Sequence, residues 1–175
     1  MQDIVFDLPN IHKQGSNEND TLLSKADDFR EAVIELSSQA LRNIYILTPH
    51  LEPEIYDNQE FLDNVLALCR GNRQSSVKIL LQDSSWVIKH GHGLVRLAQR
   101  LTSSIAIRNP VEEYRIINSS FMIADGTGLV FRQEADTYRG FFNPDCRYRA
   151  GNLDNIFMDI WEHAHEDIQL RKLYI

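Results

Sequence analysis

From Ser24 onward the chain alternates between apolar stripes at helical spacing and short apolar runs. Phe29, Ala32, Val33, Leu36, Ala40 and Leu41 form one stripe, with Ser24 as a capping residue and Asp27 and Asp28 in the first turn. Asn43-Ile44-Tyr45-Ile46-Leu47-Thr48 then reads as a buried strand stopped by Pro49. Asp57 or Asn58 caps a second helix carrying Phe61, Leu62, Val65, Leu66 and Cys69, which ends near Gly71. The run from Ser76 to Asp83 is a strand, and Trp86 to Leu101 is a third helix whose first half is weakened by Gly91 and Gly93. Ser104 to Arg108 is a third strand, stopped at Asn109-Pro110. Spacing then shortens: Phe121 to Ala124 and Leu129 to Arg132 flank an Asp-Gly turn as a hairpin, and Arg139 to Phe142 reads as a further strand. A closing helix carries Ile156, Phe157, Ile160, Trp161, Ala164 and Ile168, with Asn152 or Asp154 near its start.

Strands separated by helices imply parallel pairing, and the closing meander implies antiparallel additions. The expected fold class is therefore α/β, a mixed and mostly parallel sheet flanked by helices. Residues 1–23 include the polar, breaker-rich run Gln14 to Asp20 and read as an N-terminal arm or loop; residues 24–175 read as one domain. A length of 175 residues with 43% hydrophobic content suits a single core. No apolar run approaches the roughly 20 residues that span a bilayer, and no signal core follows Met1. The expectation is a cytoplasmic protein without membrane contact.

Charge is unevenly spread. Residues 1–69 carry 4 Lys/Arg against 13 Asp/Glu, whereas residues 70–150 carry 12 against 7, within a net charge of -7. Ten of those twelve cations are Arg, whose planar donor fork suits phosphate and carboxylate. Such a segment is read either as solvated surface cations or as an anion site. An acidic chain is poorly suited to unspecific duplex binding, so nucleic acid is not favoured as a partner. Cys69 and Cys146 lack metal-ligand spacing, and His163 and His165, two apart on a helix, cannot share one ion. His90-Gly91-His92 has no acidic or thiol cluster beside it in sequence. No metal and no cofactor are expected. Asp83 at a strand end, with His90 seven residues on, is an acid–base pairing to be weighed, although Ser84 and Ser85 have simpler roles as helix caps.

The run Asn118-Ser119-Ser120-Phe121-Met122-Ile123-Ala124-Asp125 has the frame His-x-Lys-x-x-x-x-Asp on a strand ending in a turn. With the element order and the terminal Phe157-Met158-Asp159-Ile160-Trp161 run, it resembles one repeat of the phospholipase D superfamily, over about Phe29 to Ala164. The resemblance implies a homodimer, as in the small single-motif endonucleases, which complete a two-motif site by pairing. In the family the His attacks phosphorus, a partner His protonates the leaving oxygen and the Lys holds the phosphate. Here the His position is Asn118 and the Lys position is Ser120, neither able to fill those roles. The family's downstream Gly-Ser/Gly-x-Asn segment falls at Arg132, Gln133 and Ala135 and is also absent. Asp125 survives, and an Asp before Gly in a hairpin has an ordinary structural use. The expectation is a catalytically inactive domain with no catalytic residues, acting as a binding or scaffolding module for a protein partner or a phosphate-bearing ligand. Its candidate ligand-binding residues are Arg115, Asn118, Ser120 and Arg132. The alternative is a divergent phosphodiesterase or nuclease using other residues.

Overall fold

The stripe beginning at Phe29 folds as helix α1 (Ala26–Gln39) and buries Phe29, Ala32, Val33 and Leu36. The computed structural model describes residues 18–171. Strand β1 (Thr21–Leu23) precedes α1, and β2 (Asn43–Thr48) follows it. After β2 come α2 (Pro53–Tyr56), α3 (Gln59–Gly71), β3 (Ser76–Leu81), α4 (Ser85–His90), α5 (Gly93–Arg100) and β4 (Ile105–Asn109). A 3-10 turn at Glu112–Tyr114 leads to β5 (Ser120–Ala124), β6 (Gly128–Arg132) and β7 (Gly140–Asn143). The chain closes with α6 (Arg147–His163), β8 (His165–Glu166) and α7 (Ile168–Arg171).

The eight strands form one sheet in the order β1-β7-β6-β5-β2-β3-β4-β8. Only β2–β3 and β3–β4 pair in parallel. The other five neighbouring pairs are antiparallel, which corrects the expectation of a mostly parallel sheet. Helix-separated strands do pair in parallel, but they are three of eight. The meander enters beside β2 running the opposite way, with Ile46 opposite Met122, and each later strand reverses again. Residues 1–17 of the expected arm lie outside the described residues, while Thr21–Leu23 pair with β7 as the sheet edge.

Two cores flank the sheet. On one face, Phe29, Val33, Leu36, Phe61, Val65 and Leu94 from the helices meet Ile44, Ile46, Ile79, Met122 and Val130 from the strands. On the other, α6 lays Leu153, Phe157, Ile160 and Trp161 against Leu47, Phe121, Ile123, Leu129 and Phe131. Of the two capping candidates for α3, Asn58 accepts the Phe61 N–H at 2.9 Å, while Asp57 accepts the Gly93 N–H at 2.9 Å. The single helix expected over Trp86 to Leu101 is two, broken at Gly91, whose φ of 76° suits glycine and ends α4. The buried His92 then starts α5, its Nδ1 accepting the Leu94 N–H at 3.1 Å. The last long helix begins at Arg147, earlier than its apolar stripe, and ends at His163, so Ile168 lies in α7 and is 73% exposed. No helix among the described residues is long and apolar enough to cross a membrane.

Candidate functional site

Asp125 sits past the end of β5 with a φ of 54°, a left-handed conformation that Asp tolerates better than most residues. Its carboxylate accepts backbone N–H bonds from Leu41, Arg42 and Asn43, each at 2.8 Å. The Asp125 N–H in turn donates to the Asn43 carbonyl at 2.9 Å. The residue therefore ties the start of β2 to the β5–β6 hairpin. Its work is structural, and it points to no ligand.

Ser120 and Arg132 stand opposite each other in the β5–β6 register, on the face shared with Met122 and Val130, and both are buried. The Arg132 guanidinium pairs with the Glu52 carboxylate through Nη2 and Oε1. The Thr48 hydroxyl donates to Glu52 Oε2 at 3.0 Å and accepts the Leu51 N–H at 3.1 Å. Arg132 also lies 5.5 Å from the ring centres of both Phe29 and Tyr138. The Tyr56 phenol is enclosed beside these groups: burial, helped by the Glu52 charge, raises its pKa, with Arg132 and a hydrogen bond from Ser120 opposing. Glu52 and Tyr56 had no local signal in the sequence, because Glu52 reaches Arg132 across 80 residues.

Arg115 and Asn118 are placed elsewhere. Both are exposed and line an open groove of about 1220 Å³ beyond the carboxyl ends of β2, β3 and β4. The structure thus brings Ser120 and Arg132 together inside the molecule and sets Arg115 and Asn118 together in the groove. Arg115 pairs with Glu112 at 3.3 Å and donates from Nε to the Pro110 carbonyl at 3.3 Å. Asp83, also in the groove, accepts the Ser85 N–H at 2.9 Å and lies 3.8 Å from His50 Nδ1. Hydrogen bonds from Ser85 hold the Asp83 carboxyl below the usual carboxylate range, with His50 and Arg115 adding to the effect. His90 is not its neighbour in this arrangement: it bonds the Trp86 carbonyl at 3.1 Å and stacks on the Trp86 ring at 4.5 Å. Ser84, one of the expected caps, donates instead to Asp167 at 2.5 Å. His50 was missed because it follows Pro49 in a loop, where no periodicity shows which side chains converge. Among the described residues, no group of three or more His, Cys, Asp or Glu side chains could hold a metal ion.

An eight-stranded mixed sheet with helices on both faces and a groove at its strand ends is the phospholipase D-like fold, and solved structures share it. NucT from Helicobacter pylori superposes with a TM-score of 0.59 at 11% identity, covering 85% of this chain and 98% of that one. Nuc from Salmonella typhimurium, a phospholipase D family member, gives 0.56 at 13% identity, with 85% and 98% covered. The archaeal chromatin protein TrmBL2, described with a novel mode of DNA binding, gives 0.61 at 14% identity over 86% of this chain. This chain spans about half of TrmBL2, 54% of its length. At such identities the likeness is one of fold alone. No curated protein matches the chain by sequence. The chain belongs to the family described as Domain of unknown function (DUF7931), whose model matches residues 25–173.

Proposed function

We propose that this domain is a catalytically inactive phospholipase D-like module that binds at the groove beyond β2, β3 and β4 and cleaves nothing there. One observation carries the reading: Asn118, in the loop before β5, is the motif position that reaches the groove, and Ser120 is buried beside Tyr56, so neither motif position offers the groove a nucleophile or a cation. Among the described residues, the groove is lined by Asp83, Glu112, Glu166 and Asp167 against Arg115, with His50 and His165 also present. That balance, in a chain of net charge -7, disfavours a polyanion even though TrmBL2 is described as binding DNA. It favours a protein partner, with a small phosphate-bearing ligand held by Arg115 and Asn118 as the second reading.

The test pairs a phosphodiester hydrolysis assay with a thermal-shift series on phosphate, nucleotides, short single-stranded DNA and RNA, and lipid headgroups. No hydrolysis is expected above background. A saturable shift lost in Arg115→Ala supports the small-ligand reading, and a flat series supports the protein partner. Turnover abolished by His50→Ala or Asp83→Ala would overturn the proposal and make that pair the centre of a divergent enzyme.

A further inference from the structure

Resting on the reading of this fold as a binding module, we propose that Arg132 and Thr48 form an oxyanion cradle that the chain fills with its own Glu52 carboxylate. An incoming carboxylate or phosphate oxyanion takes that place when Glu52 swings out. Glu52 is a built-in stand-in for the ligand.

The cation of the cradle is placed by residues outside the loop that carries Glu52. Arg132 ends β6, and its guanidinium lies 5.5 Å from the ring centres of both Phe29 and Tyr138. The two rings, 6.2 Å apart, lie to one side of the guanidinium and leave its planar donor fork to face an oxyanion. Thr48 ends β2 and is fully buried, so its hydroxyl has a set position 3.0 Å from Glu52 Oε2.

The occupant is held differently. The Arg132 side chain is 3% exposed and that of Glu52 is 15%, so the carboxylate forms the outer side of the pair. Glu52 sits in the loop joining β2 to α2, immediately after Leu51, whose φ of 54° is unfavourable for a branched apolar residue. Pro49 and His50 of the same short loop line the groove. The loop therefore touches the groove through Pro49 and His50 and reaches Arg132 through the Glu52 side chain. A buried ion pair is no more stabilising than a well-packed apolar pair, so stability alone does not explain a guanidinium here. Anion recognition does.

The experiment removes the stand-in. Glu52→Ala is titrated with sodium acetate and, separately, with inorganic phosphate, against sodium chloride at matched ionic strength, with melting temperature as the readout. The parent, Glu52→Gln and the double variant Glu52→Ala, Arg132→Met run alongside. The expected result is stabilisation of Glu52→Ala by about 3–5 °C at ten times the dissociation constant. The parent should respond far less, because Glu52 competes, and the double variant should not respond. A response to acetate assigns a carboxylate-sized site; a response to phosphate alone assigns a phosphate site. If Glu52→Ala does not fold in chloride, its folding on addition of either anion, or the same response in Glu52→Gln, supports the cradle. An equal response in the double variant, a folded Glu52 variant indifferent to both anions, or both variants unfolded in every buffer would overturn it and leave a purely structural ion pair. A flat groove series with an anion-dependent Glu52→Ala would retire the Arg115 site and leave the cradle standing.

Discussion

Asp125 is the residue through which motif and scaffold separate most clearly. A carboxylate accepting three backbone N–H bonds at 2.8 Å holds the turn into β2. Asp125→Ala should cost about 2–4 kcal/mol in denaturant unfolding while leaving any ligand response of the groove unchanged. Asp125→Asn, which keeps one acceptor oxygen and tolerates the positive φ, should lose less. His92 supplies a pH signature. Its ring is fully buried, and burial, reinforced by Arg96 and opposed by Asp57 and the Leu51 backbone, takes its pKa down from 6.5 to about 4. A depressed pKa means that the unfolded chain takes up the proton first. The stability owed to His92 is therefore intact above pH 6.5 and lost as pH falls towards 4. Denaturation midpoints across that window should fall by an amount on the order of 1–3 kcal/mol, and His92→Asn, which keeps a capping acceptor, should flatten the slope.

At the scale of elements, close packing sets the tolerance. A Cβ on Gly140 would stand 1.9 Å from the Phe131 carbonyl oxygen, so β6 and β7 could not keep their register. Gly140→Ala should lower stability by about 3 kcal/mol or more. Gly151→Ala, in the interior of α6 with open space around it, should raise stability by about 0.5–1 kcal/mol. Melting temperatures of the two variants check both signs. The same contrast explains which elements could be read in the chain. Helix α3 was legible because its stripe and its Asn58 cap are both local. Strands β1 and β8, of three and two residues, are too short to show a period and exist because β7 and β4 offer them an edge. Glu166 and His165 pair with β4 only because α6 delivers them there.

For the whole molecule, the fold separates the four candidate residues into two places. Of the four candidates, Ser120 and Arg132 are paired in the β5–β6 register. The loop at 110–119 carries Arg115 and Asn118 to the groove instead. Two sites therefore stand where one was expected: an open groove with mixed charge, and a buried guanidinium already matched by a carboxylate. The hydrolysis and anion titrations address them separately. What the sequence by itself determined is local: helix stripes, caps, the Asp-Gly hairpin, and the side-chain chemistry of Asn118 and Ser120. Those follow from side-chain chemistry and from periods of two and 3.6 residues. Strand order, the antiparallel majority of the sheet, and the meeting of Glu52 with Arg132 were decided only by the tertiary structure. They depend on which distant segments exclude water together, and no window of the chain contains both partners.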